Sequence, residues 1–166
     1  MEFKIDDRVY LIRPWEPRDR EATLTVIKTT LAEYGFAFNT EPGYGDWDAM
    51  HVEEAYLNKG GELWVVETQE TAEIVGSIGF YPHPHHTVEL RKMYLAQAVR
   101  HRGLGRYLLQ QLEQRIKELG FEGIWIETIT TLPEAIALYE KTGYQLCPDD
   151  PTEPRCDRLY FKSLQG

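Results

Sequence analysis

Cysteine is nearly missing, with two residues in 166. Cys147 and Cys156 flank a Pro/Asp-rich stretch and have no His–Cys companions at metal-ligand spacing, so neither a zinc site nor a disulfide framework is implied. Reduced structural thiols are expected. Long apolar runs are missing too: no segment approaches the roughly 20 residues needed to span a bilayer. The first seven residues, Met1 to Asp7, lack the apolar core of a signal peptide. The expectation is a cytoplasmic protein with no membrane partner. Cations are in deficit, 18 Lys and Arg against 27 Asp and Glu, for a formal net charge of −9. That balance argues against a nucleic-acid partner, because affinity for a phosphate backbone needs cations clustered over a broad surface. Two phosphate-loop patterns are also absent. There is no G-x-x-x-x-G-K-[S/T], and no three-glycine dinucleotide fingerprint with a ribose-binding acid downstream, so neither a nucleotidase nor a dehydrogenase is supported.

The few cations are gathered in one place. From Arg91 to Arg106 there are five Lys or Arg and one His, with no Asp or Glu. Here a strand reading Val88-Glu89-Leu90-Arg91-Lys92-Met93-Tyr94-Leu95 runs into a turn with Gly103 and Gly105 and then into a long amphipathic helix. A helix's first N–H groups have no intrahelical acceptor, and the helix dipole puts positive potential there, so the turn reads as an anion cradle.

The rest of the chain alternates strands and helices. Val9–Arg13 predicts a strand ending at Pro14, and a helix follows from about Arg20 to Tyr34 with Leu24, Ile27, Leu31 and Tyr34 on one side. The stretch from Phe36 to Trp47 holds Phe36, Phe38, Tyr44 and Trp47, which either pack on the core or wall a small-molecule pocket. A second helix is expected over about Asp48–Asn58. Leu63–Glu67 and Ile74–Tyr81 predict an antiparallel hairpin. The histidines of Pro82–His86 lack acidic or sulfur partners at motif spacing, so an exposed loop without a metal is expected. Leu104, Leu108, Leu112, Ile116 and Leu119 form a stripe ending at Gly120. Leu90–Leu95 and Ile124–Ile129 then make a parallel pair joined by that helix. A short helix, Ala135–Lys141, and strands at Tyr144–Leu146 and Leu159–Lys162 close the chain. No linker invites a second unit, so one domain over residues 1–166 is expected.

Arg100-x-x-Gly103-x-Gly105 resembles the acyl-CoA pyrophosphate motif R/Q-x-x-G-x-G/A of the GCN5-related N-acetyltransferases (GNAT superfamily). The run from Ala135 to Tyr144, Ala-Ile-Ala-Leu-Tyr-Glu-Lys-Thr-Gly-Tyr, is similar to the family's second signature, and Ile12-Arg13-Pro14 to its usual first-strand entry. With these the resemblance covers nearly the whole chain. It implies an α/β fold with a mixed central sheet of about seven strands, helices on both faces, and a fourth and fifth strand that run parallel and splay apart.

The same resemblance implies the chemistry. Acetyl-CoA would be the acyl donor, with no metal. Its pantetheine arm would lie along Met93, Tyr94 and Leu95, and its pyrophosphate over the N–H groups of His101, Arg102, Gly103, Leu104, Gly105 and Arg106, with Arg100, Arg102 or Arg106 adding charge. A backbone N–H near Leu95 would polarise the thioester oxygen. Amines with a pKa near that of Lys, about 10.4, are mostly charged at neutral pH, so attack on a thioester needs a base. Glu89 stands eleven positions before Arg100, the spacing of the catalytic glutamate in the superfamily's histone acetyltransferases. The same carboxylate could instead pair with Arg91 on one strand face. Tyr139 matches the family tyrosine that protonates the departing thiolate; position alone would also suit a core tyrosine of an amphipathic helix, and the surrounding signature favours the first. The family often has Asn three residues before the second motif's first Ala, where this chain has Leu132. Glu33, Tyr34, Phe36 and Arg91 are candidates for the acceptor side. The acceptor is expected to be a small or amino-acid-like amine, with protein amino groups or a non-catalytic acyl-CoA-binding module as alternatives, in a monomer or homodimer.

Overall fold

In the computed structural model of the protein, which describes residues 1–165, one eight-stranded sheet organises the chain. Its strands are β1 (Glu2–Ile5), β2 (Arg8–Pro14), β3 (Glu62–Thr68), β4 (Ile74–His83), β5 (Thr87–Leu95), β6 (Gly123–Thr128), β7 (Gln145–Cys147) and β8 (Arg158–Ser163). They lie in the order β1-β2-β3-β4-β5-β6-β8-β7, antiparallel throughout except for β5 and β6. The helices are α1 (Arg20–Glu33), α2 (Trp47–Met50), α3 (Val52–Ala55), α4 (Leu104–Glu118) and α5 (Pro133–Lys141).

The strand beyond the expected seven is β1, a four-residue edge strand whose side chains are only exposed or half-buried. It therefore lacks the apolar run that marks a buried strand, and with it the parallel pair becomes fifth and sixth. The expected helix over 48–58 breaks at His51, whose Nδ1 lies 2.8 Å from the Trp47 carbonyl oxygen and whose backbone leaves helical angles. Local side-chain contacts of this kind compete with the helical ladder.

Alternation along β3 sends Trp64 and Val66 to one face, and Leu63 and Val65 to the other. On the first face Leu104, Leu108, Leu109, Leu112 and Ile116 of α4 pack against Ile78, Phe80, Val88, Leu90, Ile124 and Ile126. Leu119 falls outside this stripe at the helix C-cap and is exposed. The second face is covered by α1, through Leu24, Ile27 and Leu31, and by α3 with Tyr56. Truncating one of the fully buried α4 leucines costs about 2–5 kcal/mol.

The feature that positions the site is where the parallel pair comes apart. β5 and β6 are in register only at Thr87↔Gly123, Val88↔Ile124 and Glu89↔Trp125. Beyond this β6 continues with β8, and β5 with β4 alone. The register between β4 and β5 shifts between Ser77 and Gly79, which makes a bulge in β5, and Lys92 there has φ +55°. A bulge bends its strand and strengthens its twist. A lysine in the left-handed region costs of order 1–3 kcal/mol and persists only where its surroundings hold it. They do: the Ser77 hydroxyl donates to the Lys92 carbonyl at 2.7 Å, and the lysine side chain is buried among acids.

Candidate active site

Two cavities meet in the opening between β5 and β6. The larger, about 520 Å³, lies between α1, the α4 N-terminus and α5; the smaller or inner cavity, about 110 Å³, lies beside Glu89 and Arg91. Met93, Tyr94, Leu132, Ala135 and Tyr139 line both.

The larger cavity is built from unsatisfied backbone. From Leu90 onward β5 has no ladder partner on its β6 side, which leaves a strand edge facing the opening. Gly103 caps α4 with φ +85°, a conformation suited to glycine, and no side chain caps the helix. The first-turn N–H groups of α4 therefore have no side-chain acceptor, and the turn holds no acid. Of the residues expected at a coenzyme, Met93, Tyr94, Leu95, Arg100, His101, Gly103, Gly105 and Arg106 line this cavity. The side chains of Arg102 and Leu104 do not: Arg102 reaches Asp6 at 3.3 Å, and Leu104 is buried in the α4 core.

Arg100 holds a different post from that of a free phosphate ligand. Its Nε donates to the Leu95 carbonyl (2.8 Å), its Nη1 to Glu33 (2.7 Å), and its guanidinium sits 5.8 Å from the Tyr34 ring centroid. It thus clamps the end of β5 to α1. Its Nη2 is buried without a hydrogen-bond partner. Arg106 is exposed and has no ion-pair partner among the described residues, while His101 pairs with Glu134 of α5 at 3.2 Å.

At the junction stands Tyr139. It is 5% exposed, yet its hydroxyl finds only the Met93 thioether at 3.9 Å. Burial, together with the neighbouring Cys156, raises its pKa and keeps the phenol protonated. A buried hydroxyl normally has a strong partner, and this one belongs to a residue that lines both cavities.

The smaller cavity contains the second expected catalytic residue. Glu89 is mostly buried; burial raises its pKa, while Arg91 and a hydrogen bond from Tyr81 oppose the rise. The Glu89–Arg91 pair is present at 3.3 Å, so the strand-face pairing and the cavity placement hold together. Arg91 is further held by the Tyr81 hydroxyl (2.7 Å), the Gly45 carbonyl (2.8 Å) and Asp48 (3.4 Å).

Of the four residues expected on the acceptor side, only Arg91 lines this inner cavity. Tyr34 and Phe36 line the larger one, and Glu33 lines neither because Arg100 takes its carboxylate. The aromatic loop divides in the same way. Phe38 packs under α1, Tyr44 lies 5.7 Å from the Arg155 guanidinium, and Trp47 is largely exposed and stacked on His51.

What holds this loop is ionic, and sequence reasoning missed it. Lys92 Nζ donates to the Gly45 carbonyl and pairs with Asp48 (3.1 Å) and Asp46 (3.5 Å). Arg155, from the segment before β8, donates to Asp46 (2.9 Å) and the Ala37 carbonyl (3.0 Å), and pairs with Glu153 (3.2 Å). Burial alone would raise the Asp46 pKa, but Arg155 and Lys92 outweigh it and hold the carboxyl below its usual value. A Cβ at Gly45 would meet Arg91 Nη2, so any side chain there would have to displace the guanidinium from its Gly45 and Tyr81 partners. A lysine inside an apolar strand and the pair Asp46-x-Asp48 were the available signals. Cys156 also lines the inner cavity, its thiol pushed up to about 12 by burial and by Glu153 and Glu127. Both cysteines are free, and no group of three or more His, Cys, Asp or Glu gathers as a metal site among the described residues.

The profile of the Acetyltransferase (GNAT) family matches residues 23–144. Uncharacterized N-acetyltransferase YjgM of Escherichia coli (strain K12) is 34% identical over 131 residues, 77% of this chain and 77% of that protein. Among solved structures, an acetyltransferase of the GNAT family from Staphylococcus aureus Mu50 matches with a TM-score of 0.85 at 23% identity, covering 94% of this chain and 99% of the other. An acetyltransferase from Streptococcus agalactiae 2603 matches with a TM-score of 0.82 at 22% identity, over 93% and 98%. At these identities the structural likeness speaks of the fold.

Proposed function

The chain belongs to the GNAT family of acetyltransferases, and we propose that it moves an acetyl group from acetyl-CoA to a small primary amine by direct attack, with both substrates bound together. The observation that carries this reading is Tyr139: a buried hydroxyl with no strong partner, set where a cavity walled by free backbone donors meets one containing a buried carboxylate. Residues 1–166 act in this reading as one acyl-CoA N-acyltransferase domain.

Acetyl-CoA supplies the activated thioester. The α4 first-turn N–H groups, Arg100 and Arg106 would hold its pyrophosphate, and the open edge of β5 at Met93–Leu95 its pantetheine arm. Glu89 accepts the amine proton, directly or through a water, as the N–C bond forms. Its raised pKa brings it closer to the operating pH, where a base is most effective. The C–S bond breaks as Tyr139 gives its proton to the sulfur. A backbone N–H near Leu95 takes the charge that develops on the thioester oxygen. The inner cavity, about 110 Å³, supports an acceptor reaching in with a narrow amine end.

The test is a panel of amines and peptides with acetyl-CoA, read by free-thiol detection. Amine-dependent CoA release is the expected result. Release that never exceeds background hydrolysis, with acetyl-CoA still bound, would instead make the chain an acyl-CoA-binding module.

A further inference from the structure

Taken on the acetyltransferase reading, the inner cavity also carries information on which amine it takes. Its charged lining consists of Glu89, Glu127 and Glu153 against Arg91, Lys92 and Arg155, with Asp46 and Asp48 directly behind. Five carboxylates thus surround three cations. All three cations are committed to the protein itself: Arg91 to Asp48 and Glu89, Lys92 to Asp46 and Asp48, Arg155 to Asp46 and Glu153.

Glu127 differs from the other carboxylates of the lining. It sits on β6 two residues beyond Trp125, the register partner of Glu89, and so on the same face, across the splay from Arg91. It forms no ion pair among the described residues, and its partners are neutral donors: Thr152 N (2.6 Å), the Thr152 hydroxyl (2.8 Å) and Glu153 N (3.2 Å). Its negative charge is therefore matched by no ion pair, in a cavity lined also by Glu89 and by Tyr139, whose buried hydroxyl has only the Met93 thioether as partner.

We infer that the acceptor is a small dication, an alkyl diamine or an amine with a second basic group, whose far cation pairs with Glu127 while its near amine faces Glu89 and Tyr139. An α-amino acid fits poorly, because its carboxylate would enter an acidic cavity where each cation is already matched. This narrows the amino-acid-like acceptor expected from sequence.

Three acceptors of similar length separate the cases: 1,5-diaminopentane, pentylamine and 5-aminopentanoate. With the unmodified protein, kcat/KM should fall in that order, with the diamine ahead of the monoamine on the order of ten-fold, between an exposed and a fully buried ion pair. Glu127→Gln keeps an oxygen for the Thr152 donors but removes the charge, and the diamine-to-monoamine ratio should fall toward one. Calorimetric binding of the same amines in the presence of CoA reads the selectivity apart from turnover. Diamine-selective binding lost in Glu127→Gln, without any acetyl transfer, would uphold the dication site and sink the transferase reading. A 5-aminopentanoate that matches or outpaces the diamine would overturn the inference, as would a ratio that Glu127→Gln leaves unmoved.

Discussion

Tyr139→Phe removes one oxygen, and the structure sets opposite signs for its effects on stability and on turnover. The hydroxyl is buried, and its one contact is a 3.9 Å approach to a thioether, a weak acceptor. A buried polar group without a good partner costs about 1–3 kcal/mol of desolvation, of which the sulfur contact returns a part. The ring, with its packing on Tyr144 and Tyr160, remains. Deleting the oxygen should therefore leave stability unchanged or raise it by up to about 1 kcal/mol, an increase in Tm of roughly 0–4 °C for a chain of this size. Turnover should fall by about 10²–10⁴-fold, the usual contribution of a positioned acid. The KM for acetyl-CoA should stay within about two-fold, since a hydrogen bond made to the departing thiolate is made after binding. Thermal denaturation and steady-state thiol release check the three together. A variant that melts several degrees lower yet turns over normally would make Tyr139 a packing residue, and a collapse of acetyl-CoA affinity would move it to a binding role.

Other consequences can be measured in the same way. Glu89 must be ionised to accept a proton, and burial lifts its pKa. The kcat/KM should therefore fall with unit slope as pH drops through a value above the ordinary carboxylate pKa of about 4.3, and Glu89→Gln should abolish that limb and lower kcat about 10²–10⁴-fold. Arg106 lacks an ion-pair partner among the described residues, so Arg106→Ala should raise the KM for acetyl-CoA several-fold, blunt its dependence on salt, and shift Tm by less than about 1 °C; an unchanged KM would remove it from the phosphate site. Asp46 is fully buried with a lowered pKa, so its stabilisation is present above the unfolded carboxylate pKa of about 3.9 and is lost as pH falls through the lower folded value. Asp46→Asn should cost about 3–5 kcal/mol near neutral pH, a Tm drop of roughly 6–20 °C that narrows in acid; a drop that is the same at every pH would contradict the linkage.

The parts legible in the sequence are those written as local pattern. The α4 stripe, the Gly103 turn and the signature around Tyr139 each announce themselves within a few residues, because helix period, positive φ and capping are short-range requirements. The inner cavity is different. Its wall joins Gly45 and Asp46 of one loop, Lys92 of a strand and Arg155 of a segment more than a hundred residues away, and no period connects them. The loop from Phe36 to Trp47 is rich in aromatics, yet these disperse, and charges fix its position. Glu33 shows the same limit: its place beside Tyr34 and Phe36 gives no sign that Arg100 will claim it.

Lys92 ties these parts together. Its backbone makes the bulge that bends β5, and its side chain turns back under the loop that walls the inner cavity. The same residue therefore shapes the strand edge that lines the larger cavity and anchors the wall of the smaller one. A bulge needs no lysine, and a short polar residue tolerates positive φ better. The side chain's role explains lysine at this strained position, because its ammonium is the cation that Asp46 and Asp48 share behind the cavity. Without it those buried carboxylates would face each other with less compensation, and the loop would keep only Arg91 and Arg155 of the three cations that hold it.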